Sequence, residues 1–132
     1  MPQRGIYLVT VLLVDDDPAV REVLRDLVPL CGEQFQVVGE AGDGLQAVEM
    51  AMALKPDVIL MDVRMPRLDG IGATRRLKQE LGCPSAIVMF SSFPWPELEA
   101  AAKEAGAVHH LCKPFEMEEL KAVLAEAVGC ED

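Results

Sequence analysis

The stretch that decides the fold is Val11-Leu12-Leu13-Val14-Asp15-Asp16-Asp17, in which an apolar run ends in three consecutive carboxylates. A second apolar run, Val58-Ile59-Leu60-Met61, ends in Asp62. Short continuous apolar runs are typical of strands buried on both faces of a parallel sheet. The acids are therefore expected at the carboxyl ends of two strands, where open α/β sheets bind their ligands. Because several carboxylates at one place repel each other unless a cation is supplied, the pattern predicts a metal site.

Strand-like and helix-like segments alternate along the whole chain. We predict strands near 9–14, 35–39, 57–61, 85–90 and 107–112, and helices near 18–30, 44–54, 70–81, 97–105 and 116–128. Pro18 behind Asp17 is typical of a helix N-terminus, with Asp17 as the N-cap. Five βα repeats predict a doubly wound α/β fold, with a five-stranded parallel sheet, right-handed crossovers and helices on both faces.

The length of 132 residues fits a single domain with its core at about 9–128. No interior linker or repeat divides the chain, and only a few residues follow the last predicted helix, so we expect no output domain. The formal charge of −10 argues against direct binding to nucleic acid or to an anionic membrane.

The cysteines and the hydropathy pattern indicate the compartment. The four cysteines have neither Cys-x-x-Cys nor zinc-type spacing, which favours free thiols in a reducing cytoplasm, with Cys112 buried in the last strand. No apolar stretch approaches the roughly 18 residues of a membrane span. We therefore expect a soluble cytoplasmic domain without a membrane partner.

The predicted strand ends carry the residues suited to chemistry. If the strand order is 2-1-3-4-5, the first and third strands are neighbours, and Asp15, Asp16 and Asp62 converge in one crevice. Hard oxygen ligands of this kind suit Mg²⁺. The fourth strand ends in Ser91 and the fifth in Lys113. Carboxylates, a divalent cation, a hydroxyl and an ammonium together indicate a phosphoryl-transfer site, although Asp15 and Asp16 alone would be equally compatible with turn or capping roles.

Four segments, VLLVDDDPAVR, LMDVRMPRLDG, VMFSS and HLCKPF, resemble in order and spacing the receiver domain of bacterial two-component response regulators. The resemblance covers about Val9 to Val128 and implies the flavodoxin-like (βα)5 fold with strand order 2-1-3-4-5. It also implies roles for particular residues, in a Mg-dependent phosphoryl transfer from a sensor histidine kinase. The resemblance implies that Asp62 is the phosphoryl acceptor. It implies that Mg²⁺ is bound directly by Asp16, through water by Asp15, and by the backbone carbonyl of Arg64. It also implies that the Ser91 hydroxyl binds the phosphoryl oxygens and moves toward them, and that Lys113 forms an ion pair with them.

Some positions depart from the pattern of that family. His110 stands where Tyr or Phe is common, so a histidine would have to serve as the switching ring beside Ser91. Ser92 adds a hydroxyl where Ala or Gly is usual. Pro94 and Pro96 bracket Trp95 and should delay the start of the fourth helix, because the residue before a proline avoids the helical region.

The resemblance implies a switch in which phosphorylation changes the surface of the fourth helix, fifth strand and fifth helix, and so the affinity for an output domain or a downstream protein. Such a domain would catalyse only its own phosphorylation and dephosphorylation. Dimerisation through its last helices is compatible with this interpretation. Two alternatives stay open. One is a receiver-like interaction module that no longer switches by phosphorylation. The other is a phosphatase of the haloacid dehalogenase type, with Asp15 as nucleophile and Asp17 as general acid.

Overall fold

The computed structural model describes residues 8–92 and 96–129. Its five strands form one parallel sheet in the order β2-β1-β3-β4-β5, and its helices follow the strands in alternation. The elements in chain order are β1 Val9–Val14, α1 Pro18–Leu30, β2 Phe35–Ala41, α2 Gly44–Leu54, β3 Val58–Asp62, α3 Gly70–Arg75, β4 Ala86–Ser91, α4 Pro96–Ala105, β5 His109–Cys112 and α5 Met117–Ala127. The predicted doubly wound α/β fold and its strand order are confirmed.

Each face of the sheet buries its own hydrophobic core, because successive side chains of a strand point to opposite faces. Leu12 and Val14 of β1 pack with small residues of α2, α3 and α4, such as Ala47, Ala73 and Ala102. Val11 and Leu13 point the other way and pack with leucines and valines of α1 and α5, among them Leu24, Val28, Leu120 and Leu124. The apolar runs of the sequence are therefore buried on both sides, as in other parallel sheets.

The register of the sheet brings the ends of its strands to one edge. Val14, the last residue of β1, pairs with Met61, and Asp62 pairs with Phe90 of β4. Ser91 pairs in turn with Cys112 at the end of β5. The polar residues that follow these strands consequently share one crevice.

Several boundaries differ from the sequence-based prediction. β2 runs on to Ala41, because a bulge lets the pairing step from Val11 with Val37 to Leu12 with Gly39. β5 begins at His109 and not at 107. The helix predicted over 70–81 is α3 followed by a π-helical turn, Arg76–Glu80, in which the Leu81 N–H donates to the Arg76 carbonyl at 3.0 Å.

The proline-rich segment before α4 is described in part. α4 begins at Pro96, where the missing N–H of proline is harmless because the first turn of a helix leaves its N–H groups unpaired. Pro94, Trp95 and Phe93 lie outside the described residues. The predicted N-cap of α1 is confirmed, since the Ala19 N–H donates to Asp17 Oδ1 at 2.9 Å.

The prediction that Cys112 is buried is wrong. Leu111 points into the core, and Cys112, its successor on the edge strand β5, is exposed. Cys31 and Cys83 are buried free thiols, whereas Cys130 is outside the described residues. No helix in the described ranges has the length and apolar character needed to cross a membrane.

Candidate functional site

Three carboxylates meet at the carboxyl edge of the sheet. One oxygen from each of Asp15, Asp16 and Asp62 lies within 4.8 Å of the others. Asp15 and Asp62 are buried and Asp16 is exposed. They converge because β1 and β3 are hydrogen-bonded neighbours that end at the same level, as the sequence predicts.

Both carboxylate oxygens of Asp15 are engaged. Oδ1 accepts a hydrogen bond from the Asp17 N–H at 2.8 Å, and Oδ2 accepts one from Lys113 Nζ at 3.0 Å. The backbone carbonyl of Asp15 also accepts a hydrogen bond from Arg21 Nη1 at 2.6 Å. These three contacts fix the turn that follows β1, and they hold the carboxylate of Asp15 in one orientation.

Arg21 is a member of this arrangement that sequence reasoning missed. Its Nε also pairs with Glu40 Oε1 at 3.1 Å, so that α1 and β2 are tied to the carbonyl of Asp15. Glu40 is an acid within a strand of mostly apolar residues, and Arg21 lies one turn into α1. That pairing of opposite charges was the available signal.

Asp62 is the carboxylate with the most perturbed ionisation. Burial raises its pKa to about 6, and the Asp15 carboxylate adds to the rise, while Lys113 opposes it. Lys113 Nζ lies 3.5 Å from Asp62 Oδ1. The ionised form of Asp62 is therefore costly in this pocket, and a further cation would favour it.

Lys113 directly follows β5, and its ammonium lies over an aromatic ring beside the pocket. Its Nζ lies 4.8 Å from the centroid of the Phe90 ring, a cation–π distance. The Lys113–Pro114 peptide bond is cis. The ammonium contacts both Asp15 and Asp62.

Ser91, the last residue of β4, and His110, the second residue of β5, form a hydrogen-bonded pair. Ser91 Oγ lies 3.2 Å from His110 Nε2. Ser91 is buried, and it borders a cavity of about 90 Å³ at the acidic crevice. The residues lining that cavity are Asp62, Arg64, Ser91, Ser92, Leu98 and Lys113. All the predicted site residues except His110 thus contribute to this cavity or to the acids beside it, and His110 contacts it through Ser91.

The loop between β3 and α3 is built around a close approach of backbone to backbone. The Gly70 N–H donates to the Val63 carbonyl at 2.7 Å, and a Cβ at Gly70 would lie only 2.1 Å from the Asp62 carbonyl oxygen. Asp69 caps α3 by accepting from the Gly72 N–H at 2.7 Å. Glycine at position 70 is therefore what allows α3 to start so close to Asp62.

The donor set suits a particular ion. Carboxylate oxygens, two of them buried, are hard ligands of the kind that Mg²⁺ prefers, and the crevice opens to water that could complete an octahedron. No cysteine or histidine belongs to this cluster, which disfavours zinc. The arrangement can hold a small divalent cation next to a carboxylate, a hydroxyl and an ammonium.

The family model for the response regulator receiver domain matches residues 11–125 of this chain. The chain belongs to this family. The match spans the receiver from β1 into α5 and includes all the site residues described above. The observed strand order and strand-end acids agree with the resemblance seen in the sequence.

Comparison with individual proteins also shows similarity to response regulators and their receiver domains. The receiver is 40% identical over 119 residues to the transcriptional regulatory protein PdtaR of Mycobacterium tuberculosis, which covers 90% of this chain and 56% of PdtaR. The present chain thus spans about half the length of PdtaR. Among solved structures, the signal receiver domain of the response regulator NarL of M. tuberculosis superposes with a TM-score of 0.86 at 35% identity, over 93% of this chain and 98% of the other.

A third similar protein bears on the metal. The receiver domain of sensor histidine kinase PA1611 from Pseudomonas aeruginosa PAO1 has a magnesium ion coordinated in its active site cleft. It is 32% identical, with a TM-score of 0.81 over 92% of this chain and 98% of that one. The present receiver has a cluster of three carboxylates, Asp15, Asp16 and Asp62, in its own crevice.

Proposed function

We propose that this receiver domain accepts a phosphoryl group on Asp62 from the phosphohistidine of a sensor histidine kinase and thereby switches its surface. The observation that carries the proposal is the position of Asp62: it lies at the edge of the sheet with Lys113 Nζ 3.5 Å away and two further carboxylates within 4.8 Å. Charge neutralisation and positioning provide most of the catalysis in phosphoryl transfer, and this crevice offers both.

The proposed reaction uses the carboxylate of Asp62 as nucleophile. One of its oxygens attacks phosphorus, the P–N bond to the kinase histidine breaks, and the nitrogen keeps the electron pair, so that an acyl phosphate forms on Asp62. Asp62 must be ionised to attack. Since burial raises its pKa to about 6, the carboxylate is mostly ionised at neutral pH but is poorly stabilised by its surroundings.

Asp16, Asp15 and Asp62 would hold Mg²⁺, together with the backbone carbonyl of Arg64. When bound, the ion supplies positive charge that offsets the carboxylates and the incoming phosphoryl oxygens. Lys113 would pair with the phosphoryl oxygens, and Ser91 would donate its hydroxyl hydrogen to one of them. Asp15 is a poor candidate nucleophile, because both of its oxygens already accept hydrogen bonds from the Asp17 N–H and Lys113. This argues against the phosphatase alternative.

An apolar groove beside the crevice suits the kinase. It has a volume of about 590 Å³, runs along α1 and the segment after β5, and shares Lys113 and Ser92 with the acidic cavity. Its lining is formed mainly by Val20, Val23, Leu24, Leu27, Pro114 and Phe115. Because a donor histidine must come within bonding distance of Asp62, a helical surface seated in this groove would be placed correctly for transfer.

The output side is proposed to be the surface of α4, β5 and α5. His110, which lies 3.2 Å from Ser91 Oγ, connects that surface to the crevice and is proposed as the switching ring. The partner there would be an output domain or a downstream protein, and a second copy of the receiver could use the same helices. In this proposal residues 1–132 act as one receiver domain in the cytoplasm, and its only chemistry is its own phosphorylation and dephosphorylation.

The test is intact-mass spectrometry after incubation with acetyl phosphate, with and without Mg²⁺. We expect one adduct of a phosphoryl group that requires Mg²⁺ and is absent from Asp62→Asn. Asp17→Asn is the matched control, since it removes a neighbouring acid while asparagine still serves as an N-cap. An adduct that persists in Asp62→Asn and is lost in Asp15→Asn would favour the phosphatase chemistry. The absence of both an adduct and beryllofluoride binding would leave an interaction module without a phosphorylation switch.

A further inference from the structure

The ring of His110 lies between two different environments. Nε2 is 3.2 Å from Ser91 Oγ at the phosphoryl-accepting crevice, and Nδ1 is 3.6 Å from Glu99 Oε2 on α4. The side chain of His110 is only 10% exposed, whereas that of Glu99 is 55% exposed. One buried imidazole therefore bridges the crevice and the outer surface of α4.

Nδ1 of His110 is a buried polar atom without a hydrogen-bond partner among residues 8–92 and 96–129. A buried polar group in this condition is costly, and it is uncommon in folded proteins. His110 also lines a cavity of about 300 Å³ between α4 and β5, together with Glu99, Lys103 and His109 among others. Because Glu99 is partly solvent-exposed, a small rotation of its side chain would bring the carboxylate within hydrogen-bond distance of Nδ1.

The charge of Glu99 would favour the hydrogen on Nδ1 over the hydrogen on Nε2. With the hydrogen on Nδ1, an N–H points toward the carboxylate, and Nε2 accepts the hydroxyl hydrogen of Ser91. With the hydrogen on Nε2 alone, the Nδ1 lone pair would face the carboxylate, which is repulsive. The Nδ1–H tautomer would direct the Ser91 hydroxyl hydrogen toward His110 and away from the crevice.

We propose that His110 is a positioning residue that couples the direction of the Ser91 hydroxyl to the binding of one proton opposite Glu99. The inference rests on the proposed function, because it concerns what happens when a phosphoryl group is present. To donate to a phosphoryl oxygen, Ser91 must turn its hydrogen away from Nε2. Nε2 then takes up a proton from solvent on the crevice side of the ring. The resulting imidazolium donates from Nε2 to Ser91 Oγ and from Nδ1 to Glu99.

The other charged groups around the ring do not replace Glu99 in this role. Lys103 of α4 lines the same cavity and carries a like charge to the imidazolium. His109, the neighbour on β5, is directed to Glu126 of α5 at 3.4 Å. Lys113 faces Asp15 and Asp62. In this proposal Glu99 is the carboxylate that faces the proton bound by His110. Linkage then requires that a lower pH favour the phosphorylated arrangement by the same factor by which phosphorylation favours the proton.

The direct test is a nitrogen-15 NMR titration of the imidazole side chains of the full chain between pH 5.5 and 8.5, with Mg²⁺ alone and with Mg²⁺ and beryllofluoride. The chain has two histidines, so His109→Gln assigns the signals and serves as the control. We expect the Nδ1–H tautomer for His110 without beryllofluoride, and a shift of its titration midpoint by about one pH unit or more to higher pH with it. An unchanged midpoint, or the Nε2–H tautomer in the free receiver, would overturn the proposal.

Variants separate this coupling from the titration of Asp62. Wild type, Glu99→Gln and His110→Phe all keep Asp62 and the proposed metal ligands, so a difference in the pH dependence of beryllofluoride affinity reports on His110. Lowering the pH from 8 to 6.5 should favour binding by wild type several-fold more than binding by either variant, and Glu97→Gln on the same helix should match wild type. Equal pH dependence in all four proteins would refute the coupling while leaving the receiver function intact. Failure of wild type to bind beryllofluoride at all would refute both.

Discussion

Lys113 Nζ lies 3.0 Å from Oδ2 of Asp15, although 98 residues separate the two in sequence. β1 and β5 are not neighbours in the sheet, so the lysine reaches across the ends of the strands between them. The same ammonium lies 3.5 Å from Asp62. Lys113 thus offsets the charge of two buried carboxylates.

Lys113→Ala should separate metal binding from phosphoryl transfer. Removing the ammonium leaves Asp15 and Asp62 without their shared cation, and we expect the unfolding free energy without metal to fall by roughly 1–3 kcal/mol. The affinity for Mg²⁺ should rise a few-fold, because the pocket becomes more negative, while labelling by acetyl phosphate should slow at least tenfold. Calorimetry measures the affinity for Mg²⁺, and mass spectrometry measures the rate of labelling. Lys121→Ala, an exposed lysine on α5, is the control, and equal slowing in both variants would contradict the assigned role.

Asp62→Asn should stabilise the protein without metal in a pH-dependent way. Because the pKa of Asp62 is raised to about 6 in the folded state, folding favours its protonated form, and its ionisation reduces stability as the pH rises from about 4 to 6. The full cost, on the order of 2–3 kcal/mol, remains above pH 6. Urea unfolding with EDTA should therefore show wild type and Asn variant converging near pH 4, with the variant more stable at pH 7.

The comparison of these two proteins isolates Asp62. The pKa of Glu40 is lowered mainly by the hydrogen bond from Arg25, and that of Asp43 by the backbone hydrogen bond from Gln46 and by Arg67. Their contribution to the stability of the protein is lost as the pH falls, and this loss is the same in wild type and in Asp62→Asn. Added Mg²⁺ should raise the melting temperature of wild type at pH 7 and leave that of Asp62→Asn nearly unchanged. A constant difference in stability from pH 4 to pH 7 would show that burial does not raise the pKa of Asp62.

Gly70→Ala should disturb the site through the backbone. The added Cβ would lie 2.1 Å from the Asp62 carbonyl oxygen and 2.7 Å from Met89 Cε, so Asp62 or α3 must move. We expect a loss of stability of roughly 1–3 kcal/mol, together with slower labelling by acetyl phosphate. Gly82→Ala is a useful control: its Cβ would meet nothing within 4 Å, and only the positive φ of 63° is unfavourable. Labelling of Gly70→Ala at the wild-type rate would show that Asp62 tolerates the displacement.

The fold and the acidic crevice could be predicted from the sequence because both follow from local patterns. Apolar runs with one polar successor mark buried parallel strands, and neighbouring strands must then bring Asp15 and Asp62 together. What could not be predicted depends on geometry between elements. The contact of Arg21 with the Asp15 carbonyl requires the exact placement of α1 over β2, which no spacing in the sequence specifies.

Three further differences also depend on geometry between elements. The π-helical turn at 76–80 arises where the chain must leave α3 and reach β4, and its Arg76–Leu81 hydrogen bond follows from that connection. The exposure of Cys112 depends on β5 being an edge strand covered unequally on its two faces, which an apolar-looking segment does not reveal. The hydrogen bond between Ser91 and His110 was expected only as a proximity of two switching residues. Its second partner, Glu99, lies on α4, whose start the prolines make hard to place.

Val23→Glu should test the apolar groove as the docking surface of the kinase. Val23 is 55% exposed and lines the groove on α1, so a charge there would have to be buried against a docked partner, which is costly. We expect transfer from phosphorylated sensor kinases to fall at least tenfold across a purified panel, whereas labelling by acetyl phosphate, which needs no docking, should stay within twofold of wild type. Leu30→Glu, at the end of the same helix, 65% exposed and outside the groove lining, is the matched control. If both variants accept phosphoryl groups from a kinase as well as wild type does, the donor approaches Asp62 from another side.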